Sequence, residues 1–151
     1  MAAGTTGFKR FRKPEETKMR IKKRDSYETF YPMTALLVDG VAANRDFEQQ
    51  ILESIGIRTE PANSAQEAMQ LLLTGVNFDI IFVDFDLPII SGPQFVMDMR
   101  ALGIQSRIVG MLSLFSDHNS QMFLEAGVNG NTQKPLTREL IEQIIEILRF
   151  I

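Results

Sequence analysis

The stretch FVDFDLPIISG, residues 82–92, decides how this chain folds. The apolar run DIIFVDF (79–85) surfaces in two aspartates spaced one apart, then breaks at Pro88 and at Ser91-Gly92. So little alternation reads as a central parallel strand covered on both faces. Pro88 stops it, because proline cannot donate to a strand ladder. Asp84 and Asp86 have no use inside such a strand. They mark its carboxyl end, as a turn device or as a site.

Strand and helix signals alternate on either side. TALLVD (34–39) is a short strand that also ends in an acid. Residues 43–55 space Phe47, Ile51, Leu52 and Ile55 as a helix, with Gly56 as its stop. IRTEPA (57–62) carries Pro61, which predicts an edge strand. In SAQEAMQLLLTG (64–75), Ser64 and Glu67 form a capping-box pair and Gly75 closes the helix. PQFVMDMRALG (93–103) reads as a helix, RIVGML (107–112) as a buried strand and HNSQMFLEAG (118–127) as a short helix. VNGNTQ (128–133) is the weakest strand signal, since Asn and Gly disfavour strands. TRELIEQIIEILRFI (137–151) ends the chain as an amphipathic helix with Thr137 at its N-cap.

Composition removes many alternatives. The 151 residues suffice for one domain with a real core, no stretch approaches a membrane span, and no apolar leader opens the chain. With no cysteine, disulfides, zinc-thiolate sites and thiol nucleophiles are excluded; with His118 alone, so are multi-histidine metal sites. His118 reads as a surface helix residue. The net charge of −3 hides an asymmetry: residues 1–25 hold nine basic side chains against Glu15, Glu16 and Asp25, so the arm is +6 and the remainder −9. Residues 1–32 are read as a basic, disordered arm and 33–151 as the domain. The arm's KRFRK and RIKKR clusters read as a solvated tail, with a nuclear-import signal or an anionic-surface contact as the other readings.

Five β/α units imply an α/β fold, a doubly wound parallel sheet of the flavodoxin-like (βα)5 type with strand order 2-1-3-4-5. In that order the first and third strands are neighbours about 4.8 Å apart. Asp39 and Asp84 should then converge on one crevice at the carboxyl ends, where ligands bind in such folds. Lys134, before Pro135, reaches over from the fifth strand. Two acids facing an amine suit a hard cation and a phosphoryl group.

In order and at the expected spacing, ALLVDGVAANR, NFDIIFVDFDLPIISG, RIVGMLS, FLEAGVN and QKPLT resemble the response-regulator receiver domain, and most closely the single-domain type-C response regulators of plants. The resemblance covers residues 33–150. It implies that Asp84 is the phosphoacceptor, served by a histidine-phosphotransfer protein. It also implies that Asp39, Asp84 and the backbone carbonyl of Asp86 hold Mg²⁺, that Lys134 contacts the phosphate, and that Pro135 shapes the following loop. No residue is given a catalytic role, and the chain is read as no enzyme. Three positions depart from the family pattern. Gly40 stands where the second metal-holding acid belongs. Leu112 replaces a phosphate-sensing hydroxyl, for which the adjacent Ser113 could substitute as a phosphate contact. Asn131 replaces an aromatic switch residue.

Three function classes follow. The first is a receiver without an output domain in a His-to-Asp phosphorelay, related to cytokinin signalling, acting inside the cell in cytoplasm or nucleus through an unknown downstream protein. Neither nucleic acid nor membrane is expected as a direct partner. The second is a pseudo-receiver that binds partners without being phosphorylated, for which Gly40, Leu112 and Asn131 speak. The third is a flavin- or nucleotide-binding protein. Against it, GVAANR (40–45) lacks the repeated glycines of a phosphate cradle.

Overall fold

The computed structural model describes residues 33–149. The basic arm read at 1–32 and the last two residues lie outside the described residues. Five strands alternate with five helices: β1 Met33–Val38, α1 Ala42–Ser54, β2 Ile57–Ala62, α2 Ala65–Leu72, β3 Ile80–Asp84, α3 Gly92–Ala101, β4 Arg107–Leu112, α4 Asp117–Ala126, β5 Gly130–Gln133 and α5 Arg138–Leu148. All pairings are parallel and the order is β2-β1-β3-β4-β5. Pro61 therefore does lie on an edge strand.

The central strands carry the core. Every residue of β3 is buried, and its side chains alternate between two clusters. Ile81 and Val83 face Phe95, Val96, Met99 and Phe123 from α3 and α4. Ile80 and Phe82 face Leu52, Ile141 and Ile144 from α1 and α5. Each face of the sheet thus buries one apolar layer, which is why the run 80–83 shows no polar alternation.

Local signals set the element ends. The Ser64 hydroxyl accepts from the Glu67 N–H at 3.1 Å, while the Glu67 carboxylate reaches back to the N–H of Asn63 at 2.6 Å, one residue before the cap. Ser91, Ser116 and Thr137 cap their helices in the same way. β5 begins at Gly130 and not at Val128. Asn129 spends its side chain instead, accepting from the Ile108 N–H at 2.7 Å and from Arg100 Nη2 at 3.1 Å. That fits the low strand propensity of this segment.

Among the described residues, no helix is long and apolar enough to cross a membrane.

Candidate functional site

β1 and β3 are neighbours, with Val38 opposite Val83. Asp39 follows the end of β1 and Asp84 closes β3, so both carboxylates emerge at the same edge. Asp39 is tied down by its surroundings. Its N–H donates to Ala62 O at 3.1 Å, its Oδ1 accepts from the Val41 N–H at 2.9 Å, and its carbonyl accepts from Arg45 Nη1 at 2.8 Å. Val41 is the N-cap of α1 and supplies no side-chain cap of its own. The Asp39 carboxylate therefore also faces the electropositive start of that helix.

Lys134 joins the two acids. Its Nζ donates to Asp39 Oδ2 at 2.8 Å and to Asp84 Oδ1 at 3.2 Å. Its backbone N–H donates to Leu112 O at 2.9 Å, which anchors the residue beside β4. The Lys134–Pro135 peptide is cis. Asp39 and Asp84 are buried, and the lysine side chain is only 8% exposed.

A third acid completes the pocket, and no motif pointed to it. Glu48 on α1 is 1% exposed and lies 3.5 Å from Lys134 Nζ through Oε2. The neighbouring Asp39 also acts on its carboxyl. The apolar face expected of residues 43–55 is therefore rotated: Phe47 is 48% exposed while Glu48 and Leu52 point inward. Both lines, 47-51-55 and 48-52-55, fit helical spacing, and only docking against β1 chooses between them.

Burial dominates the electrostatics. It pushes the Glu48 carboxyl up to about 8, with the hydrogen bond and charge of Asp39 adding to the effect and Lys134 opposing it. Burial also raises the pKa of Asp84, against the pull of Lys134. For Lys134 burial acts downward, but the Asp39 hydrogen bond and the Asp84, Glu48 and Asp39 charges outweigh it, and the ammonium is held more firmly charged. At neutral pH Glu48 thus leans toward its protonated form. Its 3.5 Å approach to Lys134 is a looser contact than the 2.8 Å bond to Asp39.

The other expected residues are dispersed. The Asp86 and Ser113 side chains are exposed, and Leu112 is fully buried in the core. Asn131 is also fully buried. Its Nδ2 donates to Ser120 Oγ at 3.1 Å and to Ser120 O at 3.3 Å, which ties β5 to α4. His118 is exposed on α4.

Two glycines shape the pocket's edge. A Cβ at Gly40 would stand 2.8 Å from Cδ of Pro88, so the loop after β3 closes over the place where a second acid would begin. A Cβ at Gly92 would overlap the carbonyl oxygen of Asp84 and approach Cα of Phe85 at 2.9 Å. Because both obstacles are backbone, Gly92→Ala should destabilise the domain by about 1–3 kcal/mol and displace the end of β3. Urea unfolding and the amide NMR shifts of Asp84 and Phe85 would measure both effects.

A five-stranded 2-1-3-4-5 sheet with two acids and a lysine meeting at its carboxyl edge defines a class of signalling domain. Residues 35–146 match the response regulator receiver domain, and the chain belongs to that family. It is 34% identical over 118 residues to two-component response regulator 24 of Arabidopsis thaliana, covering 78% of this chain and 85% of that one. It is 32% identical to two-component response regulator ORR42 of Oryza sativa subsp. japonica, over 78% of this chain and 87% of that one. Among solved structures, the CheY-like receiver domain from Methanospirillum hungatei JF-1 superposes with a TM-score of 0.69 at 29% identity, over 78% of this chain and 94% of that one. Receiver domains generally take phosphoryl groups from histidine kinases or phosphotransfer proteins, and generally bind Mg²⁺ at an acidic pocket.

The donor set suits that ion. Among the described residues, no three acidic or histidine side chains stand as a ready-made metal site, and Asp39, Glu48 and Asp84 converge on Lys134 instead. Magnesium keeps several waters and needs only one or two carboxylates, so Asp39 and Asp84 meet its requirement. Glu48 Oε1, buried and without a hydrogen-bond donor, is a further hard oxygen in reserve.

Proposed function

We propose that this chain accepts a phosphoryl group on Asp84 from a histidine-phosphotransfer protein, as a member of a plant His-to-Asp phosphorelay related to cytokinin signalling. The observation that carries this reading is the bridge by Lys134 Nζ, 2.8 Å from Asp39 and 3.2 Å from Asp84. In the transfer, an Asp84 oxygen forms a bond to phosphorus as the bond from phosphorus to the donor's imidazole nitrogen breaks. Lys134 holds Asp84 Oδ1, which leaves the second oxygen to attack. The charge that gathers on the three phosphoryl oxygens is met by the lysine ammonium. Mg²⁺, held by Asp39, Asp84 and the Asp86 carbonyl, would supply further neutralisation of those oxygens. Asp84 is consumed as an acceptor and turns over nothing, so the domain acts as no enzyme in its own right.

A protein donor is supported by the rim of the pocket. Val41, Ile89 and Leu114, on the loops after β1, β3 and β4, are 52%, 88% and 70% exposed. Ile89 has a φ of 68°, a left-handed conformation that is unfavourable for a β-branched residue. An apolar rim suits a docked protein surface better than a small phosphate ester. The exposed Ser113 hydroxyl is assigned to the phosphate as a secondary contact. Residues 1–32 are assigned to a basic arm outside the domain, and the protein to the cytoplasm or nucleus, with an unidentified downstream protein as its output.

The second reading, a pseudo-receiver, draws on Asn131. Where the family uses an aromatic side chain that changes position, Asn131 is buried and held by Ser120. One experiment separates the two. Labelled phosphate from a phosphorylated histidine-phosphotransfer protein, with Mg²⁺, should appear on the wild type and be absent from Asp84→Asn. If neither protein is labelled while the partner still binds, the pseudo-receiver reading stands.

A further inference from the structure

Glu48 is the feature of this pocket that the family pattern does not explain. It sits on the inward face of α1, in line with Leu52, which is buried in the apolar layer. A buried carboxyl there costs several kcal/mol unless something compensates it. The compensation visible in the pocket is partial. Oε2 meets Lys134 at 3.5 Å, and Oε1 is buried with no donor.

The charge balance is informative. Asp39, Glu48 and Asp84 all face the single ammonium of Lys134. Fully ionised, three carboxylates against one amine leave two negative charges, which one divalent cation cancels. Position 40 cannot contribute the missing acid without moving Pro88. Glu48 returns that carboxylate to the pocket from a different element, nearly two helical turns into α1.

We propose that Glu48 replaces the acid absent at Gly40, presenting Oε1 to the divalent cation held by Asp39 and Asp84. The inference rests on the metal-binding part of the function proposed above and adds a ligand to it. Lys134 would keep its bonds to Asp39 and Asp84 while Asp39, Asp84 and Glu48 held the cation. Substitution of a residue that orients or completes a metal site typically lowers metal affinity by about 10–100-fold.

Mg²⁺ affinity, measured by calorimetry on the full chain, should therefore fall at least about 10-fold in Glu48→Gln. In the wild type labelled at glutamate carboxyl carbons, the Glu48 resonance, assigned by its loss in Glu48→Gln, should shift with Mg²⁺ and broaden away with Mn²⁺. A merely structural Glu48 would leave the Mg²⁺ affinity of Glu48→Gln at the wild-type value, whatever broadening its proximity to Mn²⁺ produces. If Asp39→Asn and Asp84→Asn lose Mg²⁺ while Glu48→Gln binds as the wild type does and the Glu48 resonance stays put, Glu48 is no ligand and the metal pocket itself stands. If the wild type binds no Mg²⁺, this inference and the metal-binding part of the proposed function both fail. Glu48→Met, which fills the same space without a polar atom, separates loss of metal from loss of fold: its unfolding transition should remain cooperative while its Mg²⁺ affinity drops.

Discussion

Lys134→Met should unfold more easily than any other single variant of this pocket, by about 3–5 kcal/mol at neutral pH, the usual result of stripping one partner from a buried ion pair. Three acids contact this ammonium, at 2.8, 3.2 and 3.5 Å, and all three are buried. Methionine keeps the bulk of the aliphatic stem, so little of the loss would come from a cavity. What remains is a cluster of carboxyls without a cation. They can be relieved only by taking up protons, so the destabilisation should shrink as the pH is lowered toward 5. Urea unfolding at pH 5 and pH 8 measures this directly. A loss equal at both pH values would mean that Lys134 matters for packing and not for charge. Phosphoryl transfer to the same variant should slow by about 10²-fold or more, since the charge developing on the transferred group loses its fixed counter-charge.

The wild type in the presence of a chelator should lose stability as the pH rises from about 4.5 to about 8. Glu48 carries a folded-state value of about 8 against an ordinary 4.5. The folded protein therefore binds the proton more tightly than the unfolded chain does. Stability from this group is complete below about 4.5 and declines through the window, at up to about 1.4 kcal/mol per pH unit. Asp84, also raised by burial, adds a contribution of the same sign. The groups that face Glu48 are Asp39 after β1, Asp84 from β3 and Lys134 after β5. Lys134 stays charged across the range and does not alter the slope. The change over the whole window should amount to a few kcal/mol. Glu48→Met should flatten most of it and, without metal, be the more stable protein at pH 8, because an apolar side chain of similar volume avoids the desolvation of a buried acid. Chemical denaturation from pH 4.5 to pH 8.5 checks both statements. A profile unchanged by Glu48→Met would show that the proton is held elsewhere.

These two expectations rest on residues of very different legibility. Asp84 stood out because an acid at the end of a continuous apolar run contradicts its surroundings. Lys134 stood out through its place before Pro135 at the end of the fifth strand signal. Strand order followed from five alternating units, since parallel strands need helical crossovers of one hand and few arrangements satisfy that. Asp39 was legible for the same reason as Asp84. Its bond to the Val41 N–H also sets it against the start of α1. No such signal marked Glu48. An acid in a helix is ordinarily solvent-facing, and residues 47 and 48 lie about 100° apart around the axis. Either could face the sheet.

Sequence by itself determined the alternation of strands and helices, the caps at Ser64 and Thr137, the edge position of the Pro61 strand, and the two acids and the lysine at the strand ends. All of these depend on local chemistry: periodicity, turn residues, and polar groups where apolar ones are expected. Only the tertiary structure decided which face of α1 docks on β1, and with it the entry of Glu48 into the pocket. It alone brought Pro88 against Gly40, Gly92 against the Asp84 carbonyl, and Asn131 against Ser120. Those contacts join residues from separate elements. Their existence depends on the rotation and approach of whole helices and loops, which side-chain packing sets and local sequence does not encode.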